Sequence, residues 1–377
     1  MPNLLLVASA CLFAAGSPST VSSQDDRVYF GTYSRKGPSE GIYLARLDTE
    51  TGTLSSPEVA AEASDPSFLA IAPSGDFLYS VENAEEFEGG GAVSAFAIQD
   101  SGLLKRINRQ PSGGAGPCHV SIHPDGNILA VANYGAGSVA SYLIGEDGSL
   151  SEPVSVIQHE GSSVNPKRQK GPHAHSINFS PDGRYAYAAD LGADRVFIYS
   201  VNPDSGELSP AGEAKTDPGA GPRHFSFRPD GKYAYVINEM SLEVAAFRVD
   251  AESGALDPVQ AISTLPEGTE KAGSTAEVVS HPSGKFLYGS NRGHDTIVVY
   301  SIDPDSGRLT RIENEPIQGE TPRNFAVHPG GEWLLAAGQN SDSIAVFAID
   351  GESGELEFSG QRIDVPSPVC VRFVEKD

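Results

Sequence analysis

A turn signature recurs along the chain at near-even spacing, and it restricts the fold more than any other feature. Pro-x-Gly stands at Pro73, Pro124, Pro181, Pro229, Pro282 and Pro329, each time between two short apolar strands, as in FSPDGRYAYAADL and FRPDGKYAYVINE. Successive prolines are 51, 57, 48, 53 and 47 residues apart. Proline fixes φ and glycine accepts positive φ, so each copy reads as a β-hairpin. A second signature, an apolar strand followed by Ser-Gly-x-Leu or a near variant, falls between the hairpins around Gly52, Gly102, Gly148, Gly206, Gly254, Gly307 and Gly354. That makes seven copies against six, so the first unit, opening at Val28-Tyr29-Phe30, lacks its leading strand. The C-terminal segment Pro368-Val-Cys-Val-Arg-Phe-Val374 has the pattern of the missing piece, as in Pro222-Arg-His-Phe-Ser-Phe.

A last strand that completes the first unit closes the array into a ring and removes the exposed sheet edges of an open one. The expectation is an all-β, seven-bladed β-propeller with four antiparallel strands per blade, about 50 residues each. It spans residues 24–377 as a single domain. The 41 glycines and 27 prolines are then mostly turn residues of one repeat.

Residues 1–23 are different. They carry no charged side chain, and Leu4 to Ala15 is an apolar run of signal-peptide length, too short to span a bilayer. Small residues follow, ending in Val-x-Ser before Gln24. We expect a signal peptide over residues 1–23 and export to the periplasm or beyond. The segment before the apolar run has no Lys or Arg, and without a working leader the protein stays in the cytoplasm. No other segment is apolar enough to span a membrane. Cys118 and Cys370 sit in different repeats and imply no disulfide. With 50 acidic against 26 basic side chains the net charge is -24, which excludes a broad cationic face for nucleic acid or anionic lipid. The repeat fixes no oligomeric state.

Topology selects the functional face. Label the strands of a blade A to D from the axis outward. Pro-x-Gly joins A to B and Ser-Gly-x-Leu joins C to D, so both turns lie on one face. The starts of the A strands and the ends of the B strands converge on the other face, around a funnel. Six residues before the turn prolines stand Ser67, Cys118, His175, Arg223, Ala276 and Arg323; five before stand Phe68, His119, Ser176, His224, Glu277 and Asn324. The B strands end at Asn83, Asn133, Asp190, Asn238-Glu239, Asn291-Arg292 and Gly338. Three arginines near one axis of an acidic chain imply a small anionic ligand. His123, His281 and His328 precede turn prolines on the opposite face and read as structural, whereas His159 and His294 lie in loops. The loop from His159 to Pro172 carries Lys167-Arg168-Gln169-Lys170 at the funnel mouth, either a flexible lid over an anion or a solvated loop. Glu85-Glu86-Phe87-Glu88 reads as a mobile acidic loop.

Five ordered segments give the chain a family likeness: Tyr29-Phe-Gly-Thr-Tyr33, Gly171-Pro-His-Ala-His175, Gly221-Pro-Arg-His224, Asn238-Glu239 and Ser290-Asn-Arg-Gly293. Together they resemble the lactonase family of seven-bladed propellers, which includes the bacterial propeller-type 6-phosphogluconolactonases and the fungal carboxy-cis,cis-muconate cyclases. The resemblance implies catalytic roles for His175, Arg223, Glu239 and Arg292. His119, Asn133, His173, His224 and Arg323 are the expected substrate contacts.

Lactone hydrolysis needs a water activated near the carbonyl carbon and charge stabilised on its oxygen. His175 or Glu239 suits the base, and Arg223 or Arg292 the oxyanion. The expected partner is a small anionic lactone or sugar phosphate, with no cofactor. A lactonising cyclase or isomerase would use the same residues, and a non-catalytic exported binding propeller is a third reading. A calcium variant would draw oxygen ligands from Asn133, Asn291, Asn324 and Glu277. Nothing in the chain has zinc-ligand spacing, and there is no Gly-x-Ser-x-Gly elbow for a serine nucleophile.

Overall fold

The computed structural model describes residues 26–35 and 37–374. The expected leader over residues 1–23 lies outside the described residues. Seven antiparallel sheets surround one axis, six of them four-stranded. The first blade runs Pro368–Phe373, Arg27–Thr32 and Gly41–Asp48, with Thr53–Leu54 and Glu58–Glu62 both pairing to its third strand. Its first two strands close the ring, pairing Val28 with Phe373 and Tyr29 with Arg372. Among the described residues no helix is long and apolar enough to cross a membrane.

The two turn signatures lock neighbouring blades together. The glycine of each Ser-Gly-x-Leu turn has positive φ, +72° at Gly254 and +68° at Gly307. A Cβ there would run into the Tyr185 or Tyr233 ring of the preceding blade, so glycine is required for both conformation and space. One turn deeper, a fully buried tyrosine donates its hydroxyl to that glycine's carbonyl. The pairs are Tyr29 to Gly102, Tyr79 to Gly148, Tyr187 to Gly254, Tyr235 to Gly307 and Tyr288 to Gly354. Blade 3 has Ala130 at this position, and Ser141 bonds Gly206 instead. At the seam, Trp333 covers Gly52 and its indole donates to Thr49. The turn-face histidines act likewise: His123 and His281 hydrogen-bond the carbonyls of Gly183 and Gly331 in the next blade.

One irregularity positions the site. At the start of strand A, six blades carry a register shift that leaves an extra residue facing one or no partner on strand B. In the blades of the site the skipped residues are Cys118, His175, Arg223 and Arg323. A β-bulge re-aims a side chain without ending the ladder. Two consecutive residues of strand A therefore reach the axis, although strand alternation allows only every second one. The bulged residues form an upper ring at the funnel mouth, and the next residues, including His119, His224, Glu277 and Asn324, form a second ring beneath it.

Candidate active site

The upper ring and the ends of the B strands enclose a cavity of about 460 Å³ at the funnel mouth. Its charged lining consists of Arg168, Arg223, Arg292 and Arg323 with Glu239 and Asp65. Four guanidinium groups face two carboxylates in a chain whose net charge is -24.

Glu239 is the hub. Its Oε2 lies 3.1 Å from both Arg223 Nη1 and Arg292 Nη2, and its Oε1 is 2.7 Å from Arg168 Nη2. Burial pushes the Glu239 carboxyl up, but Arg223, Arg292 and Arg168 together pull it further down, to about 2. Arg223 is held on its other side by the Ala276 carbonyl, 2.9 Å from Nε, and Arg292 by the Thr275 carbonyl at 2.8 Å. Burial and the neighbouring Arg223 lower the Arg292 guanidinium to about 9. It therefore remains charged at neutral pH. Arg323 has no carboxylate partner among the described residues and lies 5.3 Å over the Tyr33 ring.

His175 Nε2 accepts from Arg223 Nη1 and lies 3.9 Å from Glu239 Oε2. Burial first, then the Arg223 charge, hold this imidazole well below its ordinary value. It is thus a neutral base beside cations. The Cys118 thiol lies 3.7 Å from His175 Nδ1, and burial pushes it up to about 12, so it is no nucleophile near neutrality.

The loop before blade 4 is held by several hydrogen bonds. Buried Gln169 bonds the Leu191 carbonyl, Asn165 caps the backbone of Lys167 and Arg168, and the Asp190 carboxylate takes His159 Nδ1 at 2.7 Å. This frame delivers Arg168 over the cavity, where it bonds both Glu239 and the Tyr134 hydroxyl. Lys167 and Lys170 point to solvent. In the acidic loop, Glu86 pairs with Arg109 at 2.6 Å.

The expected residues separate into three groups. His175, Arg223, Glu239, Arg292 and Arg323 share the cavity. His173 lies behind its wall, stacked on Tyr134 at 4.5 Å, with Nδ1 on the Tyr134 carbonyl. His119, His224 and Asn133 do not line it. His224 belongs to the ring beneath, its Nδ1 2.8 Å from Glu277 Oε1, and His119 packs edge-on against it at 5.4 Å. Asn133 is fully buried and donates to the Ser112 carbonyl of its own blade's loop. The four residues considered for calcium do not converge on one point: Asn133 and Asn291 are each engaged elsewhere, and only Asn324 and Glu277 meet. Asn291 donates to the Thr264 carbonyl, and Asn324 donates to Glu277. Among the described residues no three His, Cys, Asp or Glu side chains cluster to hold a metal. Tyr33, Tyr134 and Arg168 also line the cavity, and the first two lie in or beside segments that the sequence had marked.

The chain is thus a closed seven-bladed propeller whose funnel mouth gathers four arginines around one buried carboxylate. The chain is a member of the family described as lactonase, 7-bladed beta-propeller, which it matches over residues 27–373. It is 38% identical over 349 residues to the 6-phosphogluconolactonase of Bacillus subtilis, covering 92% of this chain and 98% of that one. It is 36% identical over 308 residues to the 6-phosphogluconolactonase of Formosa agariphila, covering 80% and 86%. Among solved structures, the periplasmic gluconolactonase of Pseudomonas aeruginosa superposes with a TM-score of 0.87 at 36% identity, covering 94% of this chain and all of that one.

Proposed function

We propose that the protein is a carboxylic ester hydrolase that opens an anionic sugar lactone of the 6-phosphogluconolactone type, with the arginine cavity as its active site. The observation that carries this reading is the excess of guanidinium groups over carboxylates around a neutral histidine. Membership of the lactonase family and the names of the relatives support it.

In the proposed reaction Arg323, free of any carboxylate among the described residues, holds the substrate's anionic group. The lactone carbonyl faces Arg223 and Arg292, whose N–H groups stabilise the oxyanion as water adds to the carbonyl carbon. As Arg223 Nη1 turns from His175 Nε2 to the lactone carbonyl, it frees the one acceptor lone pair of His175, which takes the water proton. Collapse of the tetrahedral intermediate breaks the bond to the ring oxygen, which leaves as a hydroxyl carrying the proton from His175. The product is the open-chain hydroxy acid, and atoms balance with one water consumed. Glu239 is the weaker choice of base, because both of its oxygens are tied to arginines and its carboxyl sits near 2. Its role is to hold Arg223 and Arg292 in position. An incoming anion also raises the proton affinity of His175 by Coulomb attraction.

The test is hydrolysis of 6-phosphoglucono-δ-lactone and of glucono-δ-lactone above their spontaneous rates, with and without chelator. We expect chelator-insensitive turnover with a higher kcat/KM for the phosphorylated lactone. No turnover of either substrate would refute the reading, and turnover of carboxymuconate alone would make the protein a cyclase. The expected leader and the periplasmic relative favour a second reading, export with an uncharged aldonolactone as substrate in place of the anionic one. Equal rates on the two lactones, with a mature N-terminus at Gln24 by mass spectrometry, would establish it.

A further inference from the structure

The axis has a second chamber at its other end. Below the ring of His119, His224, Glu277 and Asn324, the next axis-facing position lies three residues before each turn proline. It holds mostly small side chains: Ala70, Ser121, Asn178, Ser226, Val279 and Ala326. Blade 1 is the exception. The Tyr29–Arg372 pairing places Arg372 at this position, because the equivalent tyrosines pair with Ala70, Asn178, Ser226 and Val279. Small residues leave the axis open, and one arginine projects into the space.

That space is a cavity of about 330 Å³ with no aspartate or glutamate in its lining. Arg372 makes no ion pair among the described residues. Its Nε and Nη1 donate to the Leu69 and Val371 carbonyls, its guanidinium covers the Phe68 ring at 4.5 Å, and among the described residues Nη2 has no hydrogen-bond partner. Glu277 in the ring above already accepts from His224, Asn324 and the Val278 amide. His119 supplies a second donor. Its Nδ1 accepts from the Ile177 amide at 3.4 Å, which leaves Nε2 as the N–H-bearing nitrogen. The rest of the lining is largely apolar, including Phe68, Ile71, Val120 and Phe373.

We propose that this lower chamber is a second binding site, for a small organic carboxylate with an apolar body. Its carboxylate meets Arg372 Nη2 and the His119 N–H, and its body lies against Phe373, Ile71 and Val120. An unpaired guanidinium, a converging neutral donor and apolar walls are the elements of a carboxylate pocket. The mouth has a different build, since there arginines converge on a carboxylate.

Benzoate is the probe, titrated calorimetrically into the full chain and soaked into crystals. We expect electron density for benzoate beside Arg372. Arg372→Gln should weaken this binding at least tenfold, and Arg323→Gln at the mouth should leave it unchanged. Ser121→Leu fills the chamber from blade 3, two blades away from Arg372, so it should abolish binding even where Arg372→Gln folds poorly. Absence of benzoate from the chamber, or binding lost with Arg323→Gln and kept with Arg372→Gln, would overturn the proposal. Lactone hydrolysis is a separate readout, so failure of either reading leaves the other standing.

Discussion

Two buried carboxylates sit on the same axis in adjacent layers, and their surroundings are opposite in kind. Glu239, at the mouth, is held by three arginines, one of them half in solvent. Glu277, in the layer beneath, is held by a histidine, an amide side chain and a backbone N–H. Both carboxyls are depressed although burial raises each of them. The arginines around Glu239 carry charge that a substrate can compete for. The neutral donors around Glu277 satisfy its oxygens and leave nothing over. The difference separates a site poised for a ligand from a satisfied plug that supports its floor, and on strand A of blade 5 one residue divides the two, Arg223 reaching Glu239 and His224 reaching Glu277.

The largest expected effects test that separation directly. Arg223→Ala removes an oxyanion donor, and kcat should fall by about 10²–10³. Glu239→Gln leaves Arg223 and Arg292 without their anchor, and misplacement of such groups costs about 10² in kcat. In both variants the circular dichroism of the folded chain should persist. Glu277→Gln should do the reverse. The Gln amide then faces the Asn324 amide, leaving a buried donor unmet at a cost of about 1–3 kcal/mol in stability, while kcat changes little. A Glu277→Gln enzyme that melts like wild type but has lost its activity would break the comparison.

Acid should act first through the buried histidines, two in the lower layer and one at the mouth. Burial holds His119, His175 and His224 below the ordinary imidazole value. As pH falls below about 6.5 the unfolded chain takes up protons that the folded chain refuses, so stability is lost on acidification. The Glu239 contribution has the same sign but begins lower, between about pH 4.5 and its folded value of about 2. Melting temperature should thus decline between pH 7 and 5, and His119→Asn should reduce that decline. A melting temperature flat across this window would show that the histidines are not the acid-sensitive groups. Activity, limited by neutral His175, should show no inflection near pH 6.5.

The propeller was legible because its determinants are local. Proline and glycine at fixed places in each hairpin, and glycine under a neighbour's aromatic ring, are readable one repeat at a time. Ring closure was legible by counting, since one leading strand was missing and the C-terminus matched it. The site was legible as columns of residues, but the columns mixed two layers. His119 and His224 stand one residue after the bulge and fall beneath the cavity, whereas Cys118 and Arg223 stand on it. The only trace of the bulge in the sequence is two adjacent polar positions where a strand should alternate. Arg168 was visible as charge, but its placement depends on bonds from Asp190 and Gln169 that join distant segments. Arg372 was missed because the strand that carries it is separated from the rest of its blade by most of the chain. Aligned with the other A strands, it is an arginine in a column of small residues.

The smallest expected effect sharpens the comparison most. Arg168 is one of three arginines on Glu239, but its side chain is 42% exposed, against 3% for Arg223. A partly exposed ion pair contributes roughly 0–1 kcal/mol, so Arg168→Ala should leave the melting temperature almost unchanged. No partner of Glu277 is expendable in this way, because His224 and Asn324 are both buried. Arg168 still adds positive charge over the cavity and closes it against Tyr134. Its loss should therefore raise KM several-fold and leave kcat near wild type, since Arg223 and Arg292 still face the carbonyl. A drop in kcat instead would make Arg168 part of the oxyanion site, and the hub would then hold three catalytic arginines rather than two and a latch.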